Sequence, residues 1–294
     1  MHKHKVPYII IAILLLIFTT ITFGLLYGNR HFVVKECTLM FPDLPASFDG
    51  YRILQFSDFH AMAFRKGYKE DVENIVNLIN QQHCDAICFT GDLVTVQADE
   101  LRGFESQLSQ LKAPDGVFSV MGNHDYNLYN RHHTEAERQA DISKLHQYQQ
   151  QFGWNLLLND HAVVRRGNDS IVIVGVENDG VPPHFPAYGD LDKAQAGTDA
   201  GAFKVLLSHD PTHWRRKVLP ETDIQLTLSG HTHAGQFMVF GWSPVSMVYK
   251  EWTGVYSSNG RYLHISNGIG CVLWPIRLGA WPEVNVITLR TSKK

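Results

Sequence analysis

With 294 residues the chain is long enough to bury a sizeable core, as one large α/β unit or two smaller ones. A formal net charge of -3, from interspersed charges of both signs, supplies no basic stripe of the kind that tracks a phosphate backbone, so no nucleic acid is expected as partner. The cysteines Cys37, Cys84, Cys88 and Cys271 form no CxxC pair, which argues against a zinc ribbon or a disulfide framework, whereas 16 histidines put metal or proton chemistry first.

Residues 6–27, VPYIIIAILLLIFTTITFGLLY, carry no charge and are long enough to cross a hydrocarbon core of about 30 Å as a helix. The apolar run exceeds the roughly 7 to 15 residues of a signal-peptide core and no A-x-A site follows it. A single-pass, uncleaved anchor in the cell membrane is therefore expected, after a short segment at 1–5. Lys3 and Lys5 precede it while Arg30 and Lys35 follow, a balance that favours a cytoplasmic N-terminus and an extracytoplasmic globular part. Residues 28–50 read as a linker that holds an edge strand at 31–40 and a proline-bearing connector, FPDLPASFDG, at 41–50.

The main domain is expected over 51–294. It opens with a strand at 51–57 (YRILQFS), a helix at 69–82 with Val72, Ile75, Val76 and Ile79 at helical spacing, and a second apolar run at 85–91 (DAICFTG). A helix at 100–111 and a strand at 116–122 (GVFSVMG) follow. Thr134 and Glu137 give the capping-box pattern of a helix running to about residue 151. NLLL, HAVVRR and SIVIVGV, within 155–176, read as short strands with a hairpin, and 177–202, rich in Gly, Pro and Asp, reads as a long surface loop. FKVLLS at 203–208 and DIQLTLS at 223–229 are strands around a helix at 211–217, and RYLHIS and EVNVITL supply two more. Strands separated by helical stretches imply parallel β-α units in the first half.

Polar residues fall directly after these apolar runs. Asp58 and His60 follow YRILQFS, Asp92 follows DAICFTG, and Asn123, His124 and Asp125 follow GVFSVMG. His209 follows FKVLLS, and His231 and His233 follow DIQLTLS. Each sits at the carboxyl end of an expected strand, the edge where loops converge and ligands bind in α/β sheets. In a continued strand His231 and His233 would share a face; Gly230 and Gly235 argue instead for a turn that aims both imidazoles inward. Imidazoles, carboxylates and an amide suit two divalent cations with one carboxylate between them, whereas a single zinc would leave several donors idle.

The series SDFH, TGD, GNHD, SHD and SGHTHAGQ, over residues 51–236, resembles the calcineurin-like metallophosphoesterase superfamily. The anchor, the HAGQ ending and the tail SNGIGCVLWPIRLGAWPEVNVITL resemble its bacterial, membrane-anchored phosphodiesterase branch. The resemblance implies an α/β fold of four layers, two packed mixed β-sheets flanked by helices. It implies one metal on Asp58, His60, Asp92 and His233, with Asp92 bridging to a second metal on Asn123, His209 and His231, and a catalytic His124 paired with Asp125. Mn²⁺ is the expected ion at both positions, and Fe, Zn or Mg also suit the donors. Two positions depart from the pattern. Thr95 stands where the family often has an acidic residue, and Ala234 replaces a frequent glycine, which matters only if that position needs a positive φ.

The implied reaction is phosphoester hydrolysis, in which two cations clamp a phosphoryl oxygen and acidify a water while His124, oriented by Asp125, protonates the departing alkoxide. Tethering to a bilayer makes a lipid-linked phosphodiester or pyrophosphate the expected substrate. One alternative is UDP-2,3-diacylglucosamine pyrophosphohydrolysis in lipid A synthesis, which needs the domain on the cytoplasmic face. A non-catalytic, membrane-tethered binding module is another, and the full set of ligands argues against it. Arg131 and His132, with His133, in YNLYNRHHTE at 126–135, are either phosphate contacts or part of a solvated loop. FMVFGWSPVSMV at 237–248 is more apolar than a solvent loop requires, and reads as a functional surface or as core strand.

Overall fold

The computed structural model describes residues 5–65, 69–272 and 274–292, so Lys3 of the charge reading and Leu273 of the tail motif lie outside the described residues. In chain order the strands are β1 (Val33–Phe41), β2 (Arg52–Phe56), β3 (Ala86–Phe89), β4 (Val117–Ser119), β5 (Asn155–Leu156) and β6 (Asp160–Arg166). They continue with β7 (Asp169–Gly175), β8 (Phe203–Leu207), β9 (Leu226–Ser229), β10 (Gly254–Ser258), β11 (Arg261–Ile265) and β12 (Glu283–Thr291). The helices are α1 (Lys5–Leu26), α2 (Lys69–Asn80), α3 (Glu105–Leu108), α4 (Glu135–Gln151) and α5 (Leu191–Gln195), with further helical turns over 212–221.

One six-stranded sheet has the order β1-β12-β2-β3-β4-β5 and the other β10-β11-β9-β8-β7-β6. Both are mixed. In the first, only β12 against β2 is antiparallel; in the second, β11-β9-β8-β7 run parallel and both edge pairs are antiparallel. The period-two alternation of side chains decides what each face touches. Ile53 of β2 meets Ile171, Ile173, Val205 and Leu207 in the layer between the sheets, whereas Leu54 and Phe56 pack outward with Val72, Ile75, Val76 and Ile79 of α2 and with Leu145 of α4. On the far side Val172, Val174 and Leu206 lie under Trp214 and Val218. Four layers result, with helices outside both sheets.

α1 is apolar, exposed along most of its length, and long enough to cross a membrane. Its carboxyl end rests on the segment 276–281. A Cβ on Gly28 would lie 1.9 Å from the Arg277 carbonyl oxygen, and Phe23 and Tyr27 meet Trp281 edge-on at 6.3 and 6.4 Å between ring centroids.

Several sequence expectations need correction. The helix expected at 100–111 is broken into a 3-10 turn at Ala98–Leu101 and one turn at α3, because Gly103 adopts φ +90 and the Glu100 carboxylate is drawn inward to accept the backbone N–H of Thr95, Val96 and Gln97. The loop at 177–202 is not merely superficial: Asn178 and Asp179 are buried, Asp179 pairs with Arg216 and Lys217 at 2.6 and 2.7 Å, and residues Leu191–Gln195 are helical. The stretch 237–248 is not core strand, since Phe240, Trp242, Met247 and Val248 are exposed and Pro244–Met247 forms a 3-10 turn. β10 is an additional strand, joined to β11 in a hairpin whose turn residues Asn259 and Gly260 both have positive φ. Thr134 caps α4 as expected, its hydroxyl accepting from the Glu137 N–H at 3.3 Å.

Candidate metal centre

The loops after β2, β3, β4, β8 and β9 deliver the expected residues to one rim, and the backbone is bent to do so. Asp58, His60, Asp92, His231, His233 and Ala234 all have φ between 45 and 73°. Left-handed backbone at a non-glycine residue costs on the order of 1–3 kcal/mol, and its concentration at one rim is a mark of a functional site. Gly122 and Gly230 permit the close approach. A Cβ on Gly122 would lie 2.2 Å from Asp92 Oδ1, and one on Gly230 2.0 Å from Ser57 Oγ and 2.3 Å from Asp58 Oδ2.

Three groups of donors result: Asp58 with His60 and His233, Asp92 with His209 and His231, and between them His60 and Asp92 with His124. In the first, His233 Nε2 lies 3.2 Å from both Asp58 Oδ1 and His60 Nε2. Asp92 Oδ2 stands between the clusters, 3.6 Å from His60 Nε2 and 3.1 Å from His209 Nε2. Asn123 Oδ1 lies 2.8 Å from His231 Nδ1. His209 fixes the chemistry of this set. Its Nδ1 donates to the Thr90 carbonyl at 2.7 Å, so in the neutral ring Nε2 carries a lone pair aimed at a carboxylate oxygen, and buried Nε2 has no hydrogen-bond partner. Two lone pairs 3.1 Å apart in the interior call for a cation or a proton between them. The donor set of imidazoles, carboxylates and an amide oxygen fits first-row divalent metals.

The electrostatics agree. Burial opposes ionisation of Asp58 and Asp92, but His233 beside Asp58 and His209 and His124 beside Asp92 outweigh it and hold both carboxyls below their usual range. Burial likewise opposes a charge on His209, yet Asp92 and Asp58 raise it to about 10, so with no metal bound a proton lies between Nε2 and Asp92 Oδ2, where a cation would replace it. Burial lowers His60 and His231, keeping these imidazoles in the unprotonated form that ligates.

Around the clusters the structure places residues differently from the sequence reading. Asp125 does not pair with His124. Its carboxylate turns inward to accept the backbone N–H of Asp92, Leu93, Val94 and Gly122 at 2.8–3.1 Å, and burial followed by the Asp92 charge raises it to about 7. The ring of His124 is held instead by the Thr95 carbonyl, 2.6 Å from Nδ1, and stacks on Tyr129 at 4.2 Å. Arg131 and His132 are exposed and do not line the cleft, whose volume is about 390 Å³; Tyr129, from the same loop, does.

Two other wall residues, Phe185 and Tyr249, had no signal in the sequence. Phe185 meets His231 edge-on at 4.6 Å, and Tyr249 OH lies 2.8 Å from His231 Nε2. Buried Arg277 brings Nη2 within 3.1 Å of His233 Nδ1 while donating to the carbonyls of Asn267, Gly270 and Ala280. It thereby joins the metal-facing turn to the segment on which α1 rests.

The family model "Calcineurin-like phosphoesterase" matches residues 51–235. A zebrafish (Danio rerio) "Transmembrane protein with metallophosphoesterase domain" is 28% identical over 290 residues, 96% of this chain but 63% of that protein, so the chain spans under two thirds of that relative's length. The metallophosphoesterase YkuE of Bacillus subtilis is 27% identical over 277 residues, covering 90% of this chain and 88% of its own. Among solved structures, the Thermus thermophilus sulfate thiohydrolase SoxB superposes with a TM-score of 0.48 at 14% identity, over 84% of this chain and 57% of that one.

Proposed function

The chain belongs to the calcineurin-like phosphoesterase family, and from that premise we propose that it is a membrane-anchored phosphodiesterase with two divalent metals, acting on a lipid-linked phosphodiester or pyrophosphate. The observation that carries the metal reading is the convergence of Asp58, His60 and His233, and of Asp92, His209 and His231, with the donor atoms of each set within 4.8 Å of one another and Asp92 Oδ2 between the sets. Asp58, His60, Asp92 and His233 would hold one ion, and Asp92, Asn123, His209 and His231 the other. When bound, such a pair neutralises phosphoryl charge and lowers the pKa of water.

The remaining chemistry belongs to the chain. The Thr95 carbonyl accepts from His124 Nδ1–H, which leaves Nε2 to carry the proton that a departing alkoxide needs. Tyr129 packs against that ring, and its hydroxyl oxygen accepts from Asn123 Nδ2 at 2.7 Å, so both side chains are kept in one orientation. Phe185 and Trp274 line the same cleft. A lipid-linked substrate is supported by α1, whose end packs on the segment that also supplies Trp274 and Arg277. The charge balance around α1 favours placing the cleft on the extracytoplasmic face.

Hydrolysis of bis-p-nitrophenyl phosphate by the full-length protein is expected with added Mn²⁺ and is expected to vanish on chelation and return on metal addition. Activity that survives complete chelation would remove the metal reading. A panel of phospholipids, nucleotide-lipid pyrophosphates and cyclic nucleotides tests the substrate class, and exclusive turnover of soluble nucleotides would count against lipid linkage.

A further inference from the structure

The stretch 237–248, FMVFGWSPVSMV, contains no charged residue. It leaves Phe240, Trp242, Met247 and Val248 exposed, and exposed Trp274 accompanies them. Burying such side chains is favourable, so a cluster left open to water calls for a partner. The place of the cluster identifies it. Met238 N donates to the Leu278 carbonyl at 2.7 Å, Leu278 N to the Gln236 carbonyl at 2.9 Å, and Gln236 Nε2 to the Trp274 carbonyl at 2.8 Å, so 236–239 and 274–278 lie side by side. The far edge of that second segment carries the end of α1, through Gly24, Gly28 and Trp281. Tyr27, Trp281 and Arg30 at this end are the residue types that mark a membrane-water boundary. The apolar cluster is therefore laterally continuous with the helix that enters the bilayer, and exposed Lys250 next to it suits lipid phosphates.

Gln236 and Trp274 of these two segments wall the metal cleft, and so do Val245 and Tyr249, which lie further along the chain from 236–239. Resting on the anchored reading above, we propose that Phe240, Trp242, Met247, Val248 and Trp274 are embedded in the lipid interface, so that the metal cleft opens against the bilayer surface. A substrate whose phosphate sits at headgroup level then reaches the cleft by lateral diffusion, without leaving the membrane. A covering protein is the other possible occupant of this rim, and lipid contact separates the two.

The test uses the full-length protein in phosphatidylcholine vesicles whose acyl chains carry bromine, a contact quencher of tryptophan emission, compared with unbrominated vesicles. Quenching is expected in the wild type, with a loss of the Trp242 share of it in Trp242→Phe. Quenching that persists undiminished in Trp242→Phe overturns the embedded rim while leaving the anchor intact, because Trp281 beside α1 reports the anchor. No quenching at all overturns both. In hydrolysis, Phe240→Ser with Trp242→Ser is expected to lower kcat/KM at least about tenfold toward vesicle-borne phosphatidyl-p-nitrophenol, and to leave soluble bis-p-nitrophenyl phosphate turnover at the wild-type rate. Equal rates of the variant and wild type on both substrates count against the rim. A wild type that cleaves the soluble diester and no lipid diester instead defeats the lipid-linked reading, and the quenching result then decides the rim by itself.

Discussion

The Nδ1 of His124 lies 2.6 Å from the Thr95 carbonyl, an acceptor that fixes the proton on that nitrogen and leaves Nε2 as the nitrogen able to exchange a proton within the cleft. Asp125, next in sequence, spends its carboxylate on four backbone N–H groups of the loops that carry Asp92 and Gly122. The two neighbours therefore have separable roles. His124→Ala is expected to lower kcat by about 10²- to 10⁴-fold, the usual worth of a general acid, while metal content by elemental analysis stays at the wild-type level. Asp125→Asn should instead reduce retained metal, because both Asp125 oxygens accept backbone N–H groups and an amide NH₂ in place of one of them puts donor against donor and lets the Asp92 loop move. Full turnover in His124→Ala, or loss of metal in that variant alone, would reverse the assignment.

At the scale of elements, the turn after β9 departs most from ordinary backbone geometry. Ala234 is fully buried with φ 48, so the substitution of alanine for glycine noted in the sequence does fall at a position that needs a positive φ. An L-residue there costs roughly 1–2 kcal/mol. Ala234→Gly relieves that strain but gives up about 0.8 kcal/mol of methyl burial and roughly 0.5–1 kcal/mol of backbone entropy, so its stability should stay within about 1 kcal/mol of the wild type. Ala234→Val adds a β-branched side chain at positive φ in a filled interior and should cost more than about 2 kcal/mol by thermal or denaturant melting. A Val variant as stable as the wild type would show that the turn has another conformation open to it. The same turn explains what the sequence made legible. His231 and His233 could be assigned because an apolar run stops at Gly230 and two polar ligand types follow at once, a pattern shared by the ends of β2, β3, β4 and β8. Phe185, Tyr249 and Arg277 reach the same site from irregular segments with no period to read, and their placement depends on tertiary contacts such as the hydrogen bonds of Arg277 to the 267–280 carbonyls. Glu100 misled for a related reason: a good helix former was recruited to satisfy loop N–H groups, and Gly103 then ended the turn.

Across the whole molecule, the two sheets are joined by polar as well as apolar contacts, and these set its acid tolerance. Gln55 of β2 donates to the Ser229 carbonyl at 2.8 Å and lies 2.7 Å, through Oε1, from Nδ1 of His264 on β11 in the facing sheet. Burial, with a smaller contribution from Lys35, lowers His264 from 6.5 to about 4. His213, beneath the second sheet and 2.8 Å from Ser208 Oγ, is lowered to about 4 chiefly by burial, with Arg216 and Lys217 adding to the effect and Asp179 opposing it. An unfolded chain protonates both rings near 6.5, whereas the folded chain resists until about 4. The stabilisation they represent is thus complete above pH 6.5 and is lost as pH falls from there toward 4, at about 1.4 kcal/mol per unit for each ring. Two such groups can consume roughly 4 kcal/mol by pH 5, a large part of the 5–15 kcal/mol typical of a folded domain. Denaturant unfolding of the detergent-solubilised chain at pH 7 and pH 5 measures this slope. His264→Gln keeps a donor for Gln55 Oε1 and cannot be protonated, so its loss between the two pH values should be about 2 kcal/mol smaller than that of the wild type. Metal ligands titrate in both proteins and cancel in the comparison, so identical acid slopes would mean that His264 is already protonated in the folded chain at pH 5, and that the polar link between the sheets is an ion-dipole contact instead of a neutral hydrogen bond.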